Sequence, residues 1–380
     1  MFTPLLRMFS SAYKPLLPHK RFLITGFLFA VLAAGTGTEA VAQTADQQAA
    51  PEPSSTKSQG DGSGGISRAF WNNPYPSIYG QVEALFIKQE SRPSGQSIIV
   101  DAFTHAPFMS EPDFGFDPGW RAMVGKRLCN GWALEFSYFG LSERTAPAAT
   151  ANPGAGAFLI FPGNFAGNVF VGMDGAQANY SSRLYSFELN LLGNCGSSDP
   201  CGTESSGDRC RSVEWFGGLR YLNLGEELNI SAQKTVAGAL EDGNYNIRTA
   251  NHLLGAQLGT RLRRTWSRFG WEATGKAGIL GCDAQQTQSV TDFPNYSLRP
   301  PVSRSETGVA YLGEINLSAL YRLTAVWTLR AGYNVLWLDG LALAPDQLDF
   351  NFATTPSGNN LRDGGGMLLH GVNVGLDARW

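Results

Sequence analysis

The sequence is poor in the side chains that carry most catalytic chemistry. It holds four histidines and five cysteines in 380 residues. No phosphate-cradling glycine loop of the P-loop or dinucleotide-binding type is present. There is no nucleophile elbow either, since GNCGS at 193–197 lacks that pattern. The three close cysteines of CGSSDPCGTESSGDRC, 195–210, lack the paired C-x-x-C spacing of a zinc site. An excess of one charge is also missing. Lys and Arg number 29 against 32 Asp and Glu, and no basic patch forms the electrostatic footprint of a nucleic-acid binder. After residue 35 no apolar run approaches the length of a membrane helix. The expectation is a protein that is not an enzyme, with no cofactor, no metal and no nucleic-acid partner.

The one long apolar run, FLITGFLFAVLAAG at 22–35, follows Arg7, Lys14, Lys20 and Arg21 and precedes Ala40-Val41-Ala42. A basic start, a short apolar stretch and small residues before Gln43 predict a cleavable signal peptide over 1–42 and an exported chain. Removing four basic residues and Glu39 takes the formal charge from −3 to −6. Residues 43–74 include TADQQAAPEPSSTKSQGDGSGG, too poor in large apolar groups to build a core, which predicts a disordered periplasmic linker. From residue 75 to 380 aromatics, glycine and alternating segments dominate, which predicts a single domain.

Ten segments alternate with period two at roughly the 9–11 residues a tilted strand needs to cross a membrane: 78–88, 119–128, 131–141, 180–191, 212–224, 250–262, 269–280, 308–321, 326–337 and 368–380. One face of each is apolar. The other carries one or two charges of mixed sign among glycines: Glu83, Arg121, Arg127, Glu135, Glu188, Glu214, Arg220, Arg261, Glu272, Lys276, Glu314, Arg330, Asp377 and Arg379. A water-soluble sandwich would turn its apolar face inward and scatter charge outward. Paired charges opposite glycine suit a packed lumen instead, with the apolar face toward lipid. Large aromatics near segment ends match interfacial girdles.

The connections alternate in length. Gaps at 89–118, 142–179, 225–249, 281–307 and 338–365 are long, and Cys129-Asn130-Gly131, 263–268 and 322–325 are short; 192–211 breaks the pattern. Short periplasmic turns and long extracellular loops are the signature of an all-β, transmembrane antiparallel up-and-down barrel. The predicted count is ten strands, or twelve if a long loop carries a hairpin at membrane depth. LLHGVNVGLDARW at 368–380 is an amphipathic strand ending in Trp380, which reads as the insertion signal recognised by the barrel insertion machinery.

At FDPGWRAMVGKRLCNGWALEFSYFGL (116–141), WFGGLRYLNLGEELNI (215–230), NHLLGAQLGTRL (251–262), LRAGYNVLWLDGLALAPDQL (329–348) and LLHGVNVGLDARW (368–380), the chain resembles the beta-barrel porin 7 family of planctomycete-type outer-membrane proteins. The resemblance implies an exported barrel in the bacterial outer membrane. It implies no particular solute.

An oxidising compartment predicts disulfides among Cys129, Cys195, Cys201 and Cys210, in one of three connectivities, and a Cys282 that is free or paired between molecules. Of the histidines, His105, His252 and His370 remain after export. A rim hydrolase of the omptin type would need a histidine with carboxylates, and His252 with Glu241 and Asp242 ahead of it is the one candidate set. Ten strands enclose little more than the eight-stranded barrel that side chains fill. The sequence therefore points to a structural or porin-like barrel whose narrow charged lumen serves small polar solutes. The alternatives are a surface binding or adhesion module using long outer loops on a plugged barrel, and a soluble periplasmic β-protein.

Overall fold

The computed structural model describes residues 78–91, 97–128, 131–154, 156–162, 168–194, 209–292, 296–350 and 360–380. The predicted signal peptide, the linker, Cys129, Cys195, Cys201 and the Cys210 side chain lie outside the described part. The strands in chain order are β1 (Ile78–Ser91), β2 (Ile99–Asp101), β3 (Pro107–Met109), β4 (Phe116–Arg127), β5 (Trp132–Ala151), β6 (Leu159–Ile160), β7 (Val171–Met173), β8 (Gly175–Asn194), β9 (Arg209–Val236), β10 (Ala239–Trp266), β11 (Phe269–Asp292), β12 (Tyr296–Arg322), β13 (Trp327–Leu341) and β14 (Gly365–Arg379).

Ten of these close into an antiparallel barrel in the order β1-β14-β13-β12-β11-β10-β9-β8-β5-β4. The seam pairs Tyr79 with Arg379 through to Ser91 with Met367. Two backbone bonds extend it, Ile78 N to Trp380 O at 3.1 Å and Trp380 N to Ile78 O at 3.0 Å. Closure removes every unpaired edge, the condition for β-structure in lipid. The remaining strands β2, β3, β6 and β7 form a separate small sheet from the first two outer connections rather than an eleventh and twelfth wall strand.

Alternation decides what each face meets. On β9 the outward side chains run Val213, Trp215, Leu219, Tyr221; on β10 they include Leu254 and Leu258, the latter 71% exposed. Val82, Ile279, Ile315, Leu317, Val372 and Val374 continue the belt around the wall. An uninterrupted apolar belt of this size would be untenable in water and is the lipid-facing surface of an outer-membrane barrel. Aromatics border it on both sides, with Trp215, Trp266, Phe269 and Trp327 at one edge and Trp120, Tyr138, Phe187 and Tyr311 toward the other. Leu258→Arg is expected to lower stability by about 2–4 kcal/mol. The check is the denaturant midpoint of the refolded barrel in vesicles, and an unchanged midpoint would mean that this face does not touch lipid.

Two of the outer connections differ from the expectation. The spans 225–249 and 281–307 are mostly strand: β9 and β10 each run 28 residues and meet at a two-residue turn, and β11 and β12 continue similarly. The turn is Ala237-Gly238, both with positive φ of 51° and 85°, the twist that a tight hairpin needs and that glycine adopts without strain. At roughly 3.3 Å per residue such strands are about 90 Å long, far beyond the hydrocarbon thickness of ~30 Å. Past Tyr221 the outward residues of β9 turn polar while Leu228, Ile230 and Ala232 on the other parity are buried. The wall thus rises above the membrane with its apolar face reversed, from lipid-facing to inward.

Candidate functional site

The lumen at membrane depth is crossed by an ion-pair lattice. Arg220 Nη1 lies 2.7 Å from Glu314 Oε2 and 3.3 Å from Glu188 Oε1. Lys276 Nζ joins the same two carboxylates at 2.9 and 3.4 Å. Arg121 connects Glu314 at 2.9 Å to Glu83 at 3.4 Å. Arg330 then links Glu83 to Glu272 and Asp377, its Nε donating to Asp377 Oδ1 at 3.0 Å and Nη2 to Glu272 Oε1 at 2.9 Å. Arg261 holds Glu135 through both terminal nitrogens at 2.8 Å and reaches Glu214 at 3.2 Å. Opposite charges alternate, so no transverse field of segregated sign forms. Glycines admit the bulk: a Cβ at Gly375 would strike the carbonyl oxygen of Val82 and the Glu83 side chain, and one at Gly218 would strike Asn190.

Above the lattice the same inward parity becomes apolar. Leu85, Ile87, Leu184, Leu222, Leu224, Leu253, Leu280, Leu312, Leu338 and Leu369 form one buried cluster inside the ring, together with Cys282. The charged lining expected from alternation is therefore interrupted: a leucine layer lies above the lattice. Higher still, Ile99, Leu159 and Met173 of the small sheet pack on Tyr180, Ile230, Tyr245 and Ile247 of the wall. The turn after β2 is set by Asp101, whose carboxylate takes N–H bonds from Phe158, Thr104 and Phe103. Those bonds, Phe158's the largest, hold its pKa down to about 2.

The connection between β13 and β14 folds inward. Ala342, Leu343, Ala344 and Leu348 are buried, and a 3-10 turn covers Pro345–Gln347. Asn251 clamps the segment from both sides, accepting from Ala342 N at 2.8 Å and donating to Ala342 O at 2.9 Å. Ala344 N donates to Glu226 Oε2 at 3.0 Å, Gln288 Nε2 to Gln347 O at 3.0 Å, and Asp349 N to Tyr245 Oη at 3.2 Å. Glu226 sits on β9, four places round the ring of ten from β13, so the strap spans the lumen. This strap was not visible as a site in the sequence, where its residues fall within the span 338–365 read as an outer loop. Its only signal was its apolar content, LALAPDQLDF at 341–350.

Of the charges singled out in the sequence, twelve meet in the lattice just described. Arg127 and Arg379 do not: both are exposed at the short-turn rim, Arg127 lying 5.9 Å over the Tyr79 ring. Arg263, missed by sequence reasoning although it shares Arg261's parity, donates to Asp377 at 3.1 Å. Trp380 stands exposed at the same rim, beside the seam it helps to close. Cys282 is a free, buried thiol in the lumen, not at the outer end of its strand. His105 occupies an exposed turn at positive φ. His252 and His370 face outward at the upper edge of the belt, bonded through Nδ1 to Tyr221 at 3.0 Å and Tyr333 at 2.6 Å. Asn223 also bonds His252, at 2.7 Å, whereas Glu241 bonds Asn168 near the far end of β10. The structure does not bring His252 and Glu241 together.

A closed ten-stranded barrel with a lipid belt and a charged interior is an outer-membrane β-barrel protein. Residues 119–293 match the model of the family described as "Putative beta barrel porin-7 (BBP7)", the family that the sequence resembles. No curated protein matches the chain. Among solved structures, the outer membrane protease OmpT of Escherichia coli is similar at 10% identity, over 81% of this chain and 98% of its own, with a TM-score of 0.40. The monoaromatic hydrocarbon channel TodX, as a deltaS2S3 mutant, is similar at 8% identity over 83% and 94%, TM-score 0.24. The toluene transporter TbuX of Ralstonia pickettii follows at 10% identity over 82% and 93%, TM-score 0.18. None of the three bears on what this chain does. The family match over 119–293 and the apolar belt together place the protein in the bacterial outer membrane.

Proposed function

We propose that this protein is a structural outer-membrane barrel, closed at rest, which carries a rigid wall and packed loops above the membrane as a surface platform. What supports it is the leucine layer. A continuous aqueous path would leave its lining residues in contact with water, yet Leu85, Leu222, Leu253 and Leu338 are each 0% exposed. Lattice and strap add two further barriers in series. The platform is stiff because β9 and β10 stay paired from end to end above the membrane.

A second reading, a narrow pore for small polar solutes, draws on the partial hydration of Arg121, Arg261, Arg263 and Lys276 from the short-turn side. The partners are outer-membrane lipid, at the belt, and the barrel insertion machinery, which would read the β14 strand and Trp380. No catalysis is part of this proposal.

Planar-bilayer recording of the refolded chain tests the proposal. At mildly acidic pH the expected result is a folded, heat-modifiable barrel with no unitary current. Steady open-channel steps under those conditions would replace the closed barrel with the pore, and the lattice arginines would become its selectivity residues.

A further inference from the structure

We propose that the infolded segment Ala342–Phe350 is a releasable strap that gates the lumen, and that the Glu226 carboxyl is the latch whose ionisation lets it go. This rests on the closed-barrel reading. Glu226 lies above the lipid belt, its outward neighbours Gly225 and Glu227 being on the polar part of the wall. Its carboxyl gathers three donors from three directions: Tyr180 Oη of β8 at 2.7 Å, Gln89 Nε2 of β1 at 3.3 Å and Ala344 N of the strap at 3.0 Å. One side chain of β9 therefore ties the strap to β8 and β1 at once.

The charged surroundings of Glu226 are asymmetric. Arg144 of β5 is a cation that acts on it, but its Nη2 is committed to Gln89 Oε1 and Ser182 Oγ and it forms no ion pair with Glu226 among the described residues. Asp117 of β4 also acts on Arg144. Tyr180 is the other titratable group in contact. Burial without a salt bridge penalises the carboxylate, and it pushes the Glu226 pKa up to about 7 against the opposing hydrogen bonds and Arg144. In water the released carboxyl would return to its ordinary value of 4.5. A raised pKa in the closed state favours closure fully below 4.5, and that preference is lost as pH climbs through 7. The seated strap should thus be tightest in acid and loosest at mildly alkaline pH.

The barrel contains its own reporter. Cys282 shares the leucine layer with Leu341, Ala342 and Leu343, and its Sγ lies 3.8 Å from Asn251 Oδ1, the group that clamps Ala342. Withdrawing the strap uncovers that thiol. The experiment labels the refolded full-length chain in vesicles with a charged, membrane-impermeant maleimide between pH 5 and 8, and reads the peptide bearing Cys282 by mass spectrometry. Glu226→Gln keeps an acceptor oxygen for Ala344 N, offers its amide N–H to the Tyr180 hydroxyl and mimics the protonated acid, so dividing the wild-type rate by the E226Q rate at each pH cancels the thiol's own titration.

The ratio is expected to rise about seventyfold from pH 5 to 8, as the linkage between carboxyl values of 4.5 and about 7 requires. A ratio that stays flat would overturn the latch, whether both proteins label slowly or both label fast. Rapid labelling of both at pH 5, or current through the wild type at that pH, would instead sink the closed barrel itself. Gel mobility with and without boiling verifies at each pH that the wall is intact.

Discussion

Arg220→Met is expected to destabilise the barrel by about 3–5 kcal/mol, the cost of leaving a buried ion pair's partner charges without compensation. Arg220 is 1% exposed, bridges Glu188 and Glu314, and donates from Nε to Ser186 Oγ at 2.9 Å. Methionine fills comparable volume, so lost packing contributes little. What remains is two carboxylates facing one another across the lumen with Lys276 as their shared cation and Arg121 at the edge of Glu314. Protonating a carboxyl would relieve the repulsion only by giving up its bonds to Lys276. The measurement is the urea midpoint of the heat-modifiable form. A useful contrast is Arg248→Met, which removes an ion pair to Glu227 on the outer wall; with Arg248 64% exposed, less than ~1 kcal/mol should be lost. A loss below about 1 kcal/mol at Arg220 as well would mean that water already screens the lattice, which is how an open pore would behave.

Gly371→Val should abolish the folded barrel. Gly371 pairs with Ile87 across the β1–β14 seam, and a Cβ there would stand on the carbonyl oxygen of Phe86, closer than any real side chain comes to a backbone atom. The seam joins the two ends of the sheet, so a shift of β14 relieves the clash only by breaking ladder bonds that lipid cannot replace. The expected outcome is a protein that runs unfolded before boiling and takes up no protected core in vesicles. Gly275→Val, at a lipid-facing position with open space around the added atoms, should fold as the wild type does. If G371V also folded normally, the tight closure of the barrel at this level would be wrong.

Both predictions depend on contacts of different legibility. The alternation LRYLNL at 219–224 declares that Arg220, Leu222 and Leu224 share a face, because successive side chains of a strand point to opposite sides. It does not say that Arg220 meets Glu314, 94 residues away, since that distance is set by the stagger between strands when the sheet closes. The stretch EELNISAQ at 226–233 falls within the span 225–249, which reads in the sequence as a long outer connection. Its own alternation, Leu228, Ile230 and Ala232 against Glu227, Asn229 and Ser231, marks a strand, and the reversal of apolar parity at Tyr221 marks where the wall leaves the lipid. The strap left almost no trace, for its buried groups are satisfied by Asn251, Glu226, Tyr245 and Gln288 on other strands.

The sequence by itself determined the barrel class, a count of ten or twelve strands, the apolar face, and twelve of the charges that meet inside the ring. All of these follow from a period of two, a local property that each strand carries alone. Only the tertiary structure decided which charges pair, that leucines seal the lumen above them, and that Ala342–Phe350 crosses it. Each of those is a contact between strands far apart in the chain, and the stagger and curvature that bring such strands face to face exist only once the ring has closed.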